Sequence, residues 1–174
     1  MSSFNVAQFL KERIGTIREF EIKGDSCWVT EEVEAKNIRG LIKMTRIGGG
    51  IFVTGDLQAT VELQCARCLE LAEIGIDFPL EDEYRPLVDI ETGLFLKEPT
   101  PEEGVFPIDE RHNLDLEFSY RQGILLALPM QPLCSVDCAG LCDQCGKNLN
   151  IDNCECQPVG VDTRLEVLKQ LLKN

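Results

Sequence analysis

Histidine is almost absent from this sequence, which has a single one, His112, among 174 residues. Catalytic zinc keeps an open coordination position and usually has histidine or carboxylate ligands. His112 lies in a polar stretch outside the densest run of cysteines, and we expect it to be solvated. A glycine-rich phosphate loop is also missing, because the glycines at 48–50 are not followed by Lys and Ser or Thr. The sequence therefore predicts that the protein is not an enzyme.

Long apolar runs are missing as well. The longest, residues 124–130, is far shorter than the roughly 20 residues that a membrane-spanning helix needs. The first residues, MSSFNVAQFLKERIG, carry Lys11 and Arg13 after the apolar positions, whereas a signal peptide has its basic residues first. We therefore expect a cytoplasmic protein without a membrane partner. In that reducing compartment, clustered cysteines more often bind metal or do redox chemistry than form structural disulfides.

Basic residues are few, since 17 Lys and Arg stand against 30 Asp and Glu, a formal net charge of −13. A field of this sign repels phosphate backbones, so extensive nucleic-acid binding is disfavoured and a protein partner with a basic surface is favoured. The most basic stretch carries Lys36, Arg39, Lys43 and Arg46. It is either a solvated strand face or a contact for RNA or an acidic partner, and the sequence leaves both interpretations open.

What the sequence does contain is typical of an α+β fold. Extended or alternating segments predict strands over 16–22, 27–36, 38–47, 51–64 and 74–80. The three glycines at 48–50 predict a hairpin between 38–47 and 51–64. Lys23, Gly24 and Asp25 predict a turn after the first strand. We expect these strands to form an antiparallel β-meander sheet.

Helical spacing of apolar residues predicts flanking helices over 5–13, 114–128 and 161–173. Asn5 is a candidate N-cap for the first, and Asn113 or Asp115 for the second, which we expect to form despite Gly123. Prolines and carboxylates in 86–104 predict a surface loop with partial disorder. We divide the chain into a β-rich domain, 1–128, and a cysteine-rich segment with the terminal helix, 129–174, packed as one unit.

Four of the nine cysteines lie within CDQCGKNLNIDNCEC, residues 142–156. Zinc takes four thiolates at tetrahedral corners, and a pair separated by two residues reaches adjacent corners from one tight turn. Gly146 can adopt the positive φ that such a turn requires. The polar loop between the pairs can bury little apolar surface, so a metal would replace a hydrophobic core. We predict a zinc knuckle with ligands Cys142, Cys145, Cys154 and Cys156.

Two further pairs suggest a second zinc site, formed by Cys65, Cys68, Cys134 and Cys138. Closing the loop from Cys68 to Cys134 costs about 4 kcal/mol of chain entropy, against about 2 kcal/mol for the loop from Cys145 to Cys154. Such a site is therefore possible, and it would attach the knuckle segment to the sheet.

The partition of these cysteines stays open at the level of sequence. A set of Cys134, Cys138, Cys142 and Cys145 is equally local along the chain. The run could instead be a redox disulfide array or hold an iron–sulfur cluster. If the cysteines form two sets of four, we expect Cys27 to be a solitary buried thiol.

Several segments carry a family likeness. VELQCARCLE (61–70), LLALPMQPLCSVDCAGLCDQCGKNLNIDNCEC (125–156) and DTRLEVLKQLL (162–172), in this order, resemble the YceD family of large ribosomal RNA subunit accumulation proteins. The opening VAQFLKERIGTIREFEI (6–22) is similar too, whereas nothing specific matches over 86–105. The resemblance implies a bacterial or plastid protein that supports synthesis, processing or stability of large-subunit ribosomal RNA. Such proteins are often described as metal-binding and have no established enzymatic activity.

Three functional hypotheses follow. The first is a non-enzymatic zinc protein of ribosome biogenesis that presents its knuckle and acidic surface to a ribosomal protein or an assembly factor. The second is a zinc protein that binds RNA directly through the basic strand and the knuckle, against which the net charge argues. The third is a thiol–disulfide or iron–sulfur redox protein.

Overall fold

The computed structural model describes residues 3–99 and 104–156 of the chain. It contains seven strands and two helices in those ranges: β1 (Ser3–Asn5), α1 (Ala7–Leu10), β2 (Ile17–Trp28), β3 (Glu34–Ile47), β4 (Gly50–Gln64), β5 (Leu71–Pro86), β6 (Val105–Ile108), β7 (Asn113–Asp115) and α2 (Glu117–Ala127). The predicted helix over 161–173 lies outside these residues. No helix in the described part of the chain is long and apolar enough to span a bilayer.

The main sheet has five strands in the order β2-β3-β4-β5-β6. The first four are antiparallel neighbours, as the meander prediction requires. The purely antiparallel arrangement is wrong at β6, which runs parallel to β5. A parallel neighbour needs a crossover of about a dozen residues or more, and the stretch between Pro86 and Val105 is long enough for one. The four residues of β6 are too short a segment for their alternation to predict a strand.

The boundaries of β2 and β3 also differ from the prediction. Lys23, Gly24 and Asp25 are not a turn, because β2 continues through them with register shifts on either side of Asp25. The turn lies in the middle of the predicted strand 27–36, where Val29 N–H donates to the carbonyl of Val33 at 2.9 Å. A bulge in an edge strand carries the same residue types as a turn, which explains the error.

The predicted hairpin across the glycines is confirmed. Ile47 pairs with Gly50, and the antiparallel register continues along β3 and β4. The long β4–β5 pairing follows it and extends from Ile51 opposite Tyr84 to Gln64 opposite Leu71. This second hairpin ends at the short turn of residues 65–70, which contains the first cysteine pair.

The core lies between one face of the sheet and α2, and α1 and β7 also contribute buried residues to it. Helix α2 begins at Glu117, later than predicted, because residues 113–115 form β7 and pair with β1. The N-cap position is occupied by Leu116, so neither predicted N-cap holds it, but Asp115 Oδ1 accepts a hydrogen bond from Glu117 N–H at 2.9 Å just before the helix. Gly123 permits close packing, since a Cβ at this position would lie 2.7 Å from Cδ2 of Phe78. The chain that follows α2 then returns to the 65–70 turn, where Pro132 contacts Ala66.

Candidate metal centres

Eight of the nine cysteines form two groups of four in the structure. Cys65, Cys68, Cys134 and Cys138 are here called the sheet-side cluster, and Cys142, Cys145, Cys154 and Cys156 the tail cluster. Within each cluster the four Sγ atoms lie within 4.8 Å of one another. Cys134 and Cys138 thus lie with the pair from the sheet and are not grouped with Cys142 and Cys145.

The sulfur spacing suits a metal centre. In the sheet-side cluster, Cys65 and Cys138 have Sγ atoms 3.8 Å apart, and those of Cys68 and Cys134 are 3.6 Å apart. In the tail cluster, Cys154 Sγ lies 3.5 Å from Cys145 Sγ and 3.4 Å from Cys142 Sγ. Four sulfurs bound to one zinc at about 2.3 Å in a tetrahedron are about 3.8 Å apart. No pair is disulfide-bonded, and all nine cysteines are free thiols.

The first pair of the sheet-side cluster lies on the tight turn that joins β4 to β5. Cys65 N–H donates to the carbonyl of Glu70 at 2.8 Å, and Leu69 N–H donates to the carbonyl of Cys65 at 2.9 Å. This turn requires a left-handed backbone at Leu69, which has φ +61°. Because the strands on both sides are fixed by the sheet, Cys65 and Cys68 are held rigidly, and both are buried.

The second pair comes from the segment after α2. Ala66 N–H donates to the carbonyl of Pro132 at 2.8 Å, which joins this segment to the turn. Arg67, between the two cysteines of the turn, donates from Nη1 to the carbonyl of Cys138 at 3.0 Å. Neither the residue type nor the position of Arg67 in the sequence predicts this contact. A metal in the sheet-side cluster would therefore join the end of the sheet to the residues that follow the helix.

The tail cluster is built on a turn of the same kind. Cys142 N–H donates to the carbonyl of Lys147 at 2.8 Å, and Gly146 N–H donates to the carbonyl of Cys142 at 2.9 Å. Gly146 has φ +71°, as the sequence predicts. Backbone amides also approach the sulfurs, since Gln144 N–H lies 3.4 Å from Cys142 Sγ and Cys156 N–H lies 3.3 Å from Cys154 Sγ. Cys145 and Cys156 are exposed, unlike most of the sheet-side cluster.

The two clusters are in contact through the backbone and one side chain. Leu141 N–H donates to the carbonyl of Arg67 at 3.2 Å, so the tail turn rests on the sheet-side turn. Asn150, in the loop of the tail cluster, donates from Nδ2 to Cys138 Sγ at 3.3 Å. Nothing in the sequence distinguishes Asn150 from the other polar residues of its loop.

Hydrogen bonding and mutual repulsion give the thiols of each cluster different pKa values. Backbone N–H groups of Cys68 and Cys134 lower the pKa of Cys65 to about 6, whereas the neighbouring sulfurs of Cys138 and Cys68 raise that of Cys134 to about 12. In the tail cluster, backbone N–H groups of Cys145 and Gln144 lower the pKa of Cys142 to about 7. The sulfurs of Cys154 and Cys145 raise the pKa of Cys156 to about 12. A centre of four thiolates would therefore need a cation, which a bound divalent metal would supply.

Three of the four basic residues of β3 share the exposed face of the sheet with carboxylates. Lys36, Arg39 and Lys43 lie on the exposed face of the sheet, and the register places carboxylates in the rows of Arg39 and Lys43, with Lys23 opposite Arg39. Glu19 lies opposite Lys43, and the row that contains Arg39 ends at Asp77. Lys36 is 3.5 Å from a carboxylate oxygen of Glu34.

Arg46 differs from the other three. Its guanidinium is half-buried and donates from Nε to the carbonyl of Leu10 at 3.0 Å and from Nη1 to the carbonyl of Gly50 at 2.8 Å. It thereby joins α1 to the hairpin turn between β3 and β4. His112, expected to be solvated, is half-buried at a turn with φ +60°.

Cys27 lies apart from both clusters. Its side chain is buried in the main core, as the sequence predicts for a solitary thiol. Burial, followed by the charge of Glu117, raises the pKa of Cys27 to about 11.

Comparison with known families gives a clear match. The family described as large ribosomal RNA subunit accumulation protein YceD matches residues 53–172, more than half of the chain, including all eight clustered cysteines. This chain belongs to the YceD family. The likeness read from the sequence segments is thus confirmed.

Individual relatives of this YceD-family chain share about 30% of their aligned residues with it. A protein of Mycobacterium tuberculosis (strain H37Rv), named only as uncharacterized, is 31% identical over 60% of this chain and 48% of its own length. The Zea mays protein named large ribosomal RNA subunit accumulation protein YCED homolog 1, chloroplastic, is 28% identical over 76% of this chain and 52% of its own length. The chain thus spans about half the length of the curated relatives it matches. No solved structure matches it.

Proposed function

We propose that this chain is a non-enzymatic zinc-binding protein that supports synthesis, processing or stability of large-subunit ribosomal RNA during ribosome biogenesis. The observation that carries the metal half of the proposal is the grouping of eight cysteines into two sets whose sulfurs lie within 4.8 Å. The ribosomal half of the proposal is supported by the family, which is described as that of the large ribosomal RNA subunit accumulation protein.

The donor set favours structural zinc over a catalytic metal. Both clusters offer four cysteine sulfurs, which is the closed ligand set of structural zinc and leaves no coordination position for water or substrate. Zinc bound there would neutralise part of the thiolate charge and hold the chain segments together. In small sites of this kind, metal binding contributes on the order of 10 kcal/mol, which is folding free energy.

A protein partner with a basic surface fits the charges better than direct RNA binding. The formal net charge is −13, and two zinc ions bound to eight thiolates would make it more negative. Among the exposed cations of β3, Lys43 and Arg39 share their rows with the carboxylates of Glu19 and Asp77. A phosphate backbone approaching this face would therefore meet both signs of charge. We propose that the partner is a ribosomal protein or an assembly factor. We also propose that the protein acts in the cytoplasm.

Metal analysis of the purified chain tests the first half. We expect two equivalents of zinc, with one lost in each of the variants Cys65→Ser and Cys142→Ser. The matched control is Cys27→Ala, which removes the ninth cysteine and should keep both equivalents. A brown protein that contains stoichiometric iron and sulfide would show that the clusters bind an iron–sulfur cluster and not zinc. A folded wild-type chain without any metal would refute this half of the proposal.

Depletion in cells tests the second half. Loss of the protein should lower large-subunit ribosomal RNA relative to small-subunit ribosomal RNA, and the wild-type gene should restore it. The Cys142→Ser variant should restore it less well than Cys27→Ala at equal protein level. An unchanged ratio of the two RNAs after depletion would contradict the role in ribosome biogenesis. RNA binding that falls steeply with salt would favour a direct RNA contact instead.

A further inference from the structure

Asn150 lies in the loop of the tail cluster and donates a hydrogen bond to a cysteine of the sheet-side cluster. It lies in the loop between Cys145 and Cys154, two members of the tail cluster. Its side-chain Nδ2 donates to Sγ of Cys138, a member of the sheet-side cluster, at 3.3 Å. A hydrogen bond to a metal-binding sulfur stabilises its deprotonated form and orients it, which is the usual role of residues just outside the ligand set.

The orientation of the Asn150 amide is determined by its other contacts. Its Oδ1 accepts a hydrogen bond from Ala139 N–H at 2.8 Å. Its Nδ2 donates to Asn148 Oδ1 at 2.8 Å in addition to Cys138 Sγ. An amide has two N–H donors, and here both are used. Rotating the amide by 180° would turn its oxygen toward the sulfur and the Asn148 oxygen, so the donor is held facing Cys138.

The position of Asn150 depends in turn on the tail cluster. Asn148 is paired with Leu141 in an isolated bridge, and its carbonyl accepts a hydrogen bond from Asp152 N–H at 2.9 Å. The loop contributes no buried apolar side chain, and its Ile151 is 76% exposed. Restraint on this loop therefore comes from hydrogen bonds, which include Leu149 N–H to the carbonyl of Gly140 at 2.9 Å and Ala139 N–H to Asn150 Oδ1 at 2.8 Å, and from Cys145 and Cys154 at its two ends. A metal bound to those cysteines would hold both ends in place.

We propose that Asn150 is a positioning residue that couples the two metal centres, so that metal in the tail cluster strengthens metal binding at the sheet-side cluster. The proposal rests on the proposed function, because it requires both clusters to hold zinc. Coupling of this kind is reciprocal: each bound metal raises the affinity for the other by the same factor. Residues in such a supporting position typically change metal affinity by about 10- to 100-fold when they are replaced.

The test compares variants of Asn150 with a control from the same loop. Full-length chain loaded with cadmium-113 should give two resonances, and the one lost in Cys65→Ser is assigned to the sheet-side cluster. A competing chelator then removes the metals while the resonances are followed separately. We expect Asn150→Ala to weaken the sheet-side cluster by about 10-fold. Asn150→Asp, which keeps an acceptor for Ala139 but brings a negative charge to the sulfur, should weaken it more.

Asn153→Ala is the matched control, since Asn153 lies in the same loop and its side chain makes none of the contacts described above. Its sheet-side affinity should equal that of the wild type. If Asn150→Ala also equals the wild type, the coupling through Asn150 is refuted while the proposed function stands. If the wild-type chain holds no metal, the proposed function itself fails.

A double-mutant cycle separates coupling from a purely local effect. Cys154→Ser disables the tail cluster and should weaken the sheet-side cluster by about the same factor as Asn150→Ala. Adding Asn150→Ala to Cys154→Ser should then have little further effect, because the loop is already released. Two effects that multiply in full would show that Asn150 supports Cys138 independently of the tail metal, and the coupling would be refuted.

Discussion

Leu69 and Gly146 occupy the same position in two turns of the same design. Each follows the second cysteine of a Cys-x-x-Cys pair, and each has a left-handed backbone, with φ +61° and +71°. Each donates its N–H to the carbonyl of the first cysteine of its pair at 2.9 Å. The two turns therefore present their sulfurs in the same way, although only one of them has glycine at the strained position.

Replacing Gly146 tests whether the tail turn requires a residue that tolerates a left-handed backbone. Gly146→Ala should destabilise the metal-loaded tail cluster by about 1 to 2 kcal/mol, because an L-residue at this φ is strained and no atom lies close enough to clash with the new Cβ. The measurement is the chelator concentration that removes half of the tail metal. Gly75→Ala is the control, since Gly75 has open space for a Cβ and no left-handed φ. Equal behaviour of the two variants would contradict the prediction.

Metal removal should occur in two steps. The tail cluster should lose its metal first, because Cys145 and Cys156 are exposed, whereas Cys65, Cys68 and Cys138 are buried. Loss of the first metal should leave the near-ultraviolet circular dichroism of the core unchanged, and loss of the second should lower the melting temperature of the sheet. A chromogenic chelator followed in parallel with circular dichroism measures both. Release of both metals in one phase at equal rates would be the opposite result.

Cys27 should make stability depend on pH in the alkaline range. Burial raises the pKa of the Cys27 thiol from 9.0 to about 11. The folded state therefore keeps a proton that the unfolded state releases, and this contribution is fully present below pH 9 and is lost as the pH rises through about 11. Cys27→Ala should show a smaller loss of stability between these pH values. Denaturant unfolding at a series of pH values measures the difference, and identical slopes for the two proteins would refute the assignment.

Gly123 should be required for packing of α2 against the sheet. Helix propensity alone favours Gly→Ala by about 1 kcal/mol. A Cβ at this position would lie 2.7 Å from Cδ2 of buried Phe78 and 3.2 Å from the carbonyl oxygen of Pro79. We therefore expect Gly123→Ala to destabilise the protein by about 1 to 3 kcal/mol. Gln122→Ala, at an exposed position of the same helix, should change stability by less than about 0.5 kcal/mol. A Gly123→Ala protein more stable than the wild type would show that the gain in helix propensity exceeds the cost of the clash with Phe78 and Pro79.

Much of the fold was predictable from local patterns. Strand β4 alternates apolar and polar residues over nearly its whole length, and the three glycines at 48–50, where it begins, predict the hairpin that the structure contains. The errors lie where a local pattern has two meanings. Lys23, Gly24 and Asp25 have the composition of a turn, yet the neighbouring strand β3 pairs on both sides of them and makes them part of a bulged strand.

The candidate sites divide in the same way. Spacing favours a centre of Cys142, Cys145, Cys154 and Cys156, because ligands this close in sequence can meet without help from the rest of the chain, but the equally local set with Cys134 and Cys138 was excluded only by the structure. Asn150, Arg67 and Leu69 were not predictable. Their roles depend on which segments meet, and neither residue type nor spacing carries that information.

The amino-acid sequence by itself determined the excess of acidic charge, the main antiparallel hairpins and the presence of two tight cysteine turns. These features depend on residues that are close together along the chain. Tertiary structure decided that Cys134 and Cys138 join Cys65 and Cys68, that β6 is parallel to β5, and that Asn150 reaches Cys138. The physical reason is that contacts across long loops are selected by the packing of α2 on the sheet, which brings the chain after the helix to the end of β4.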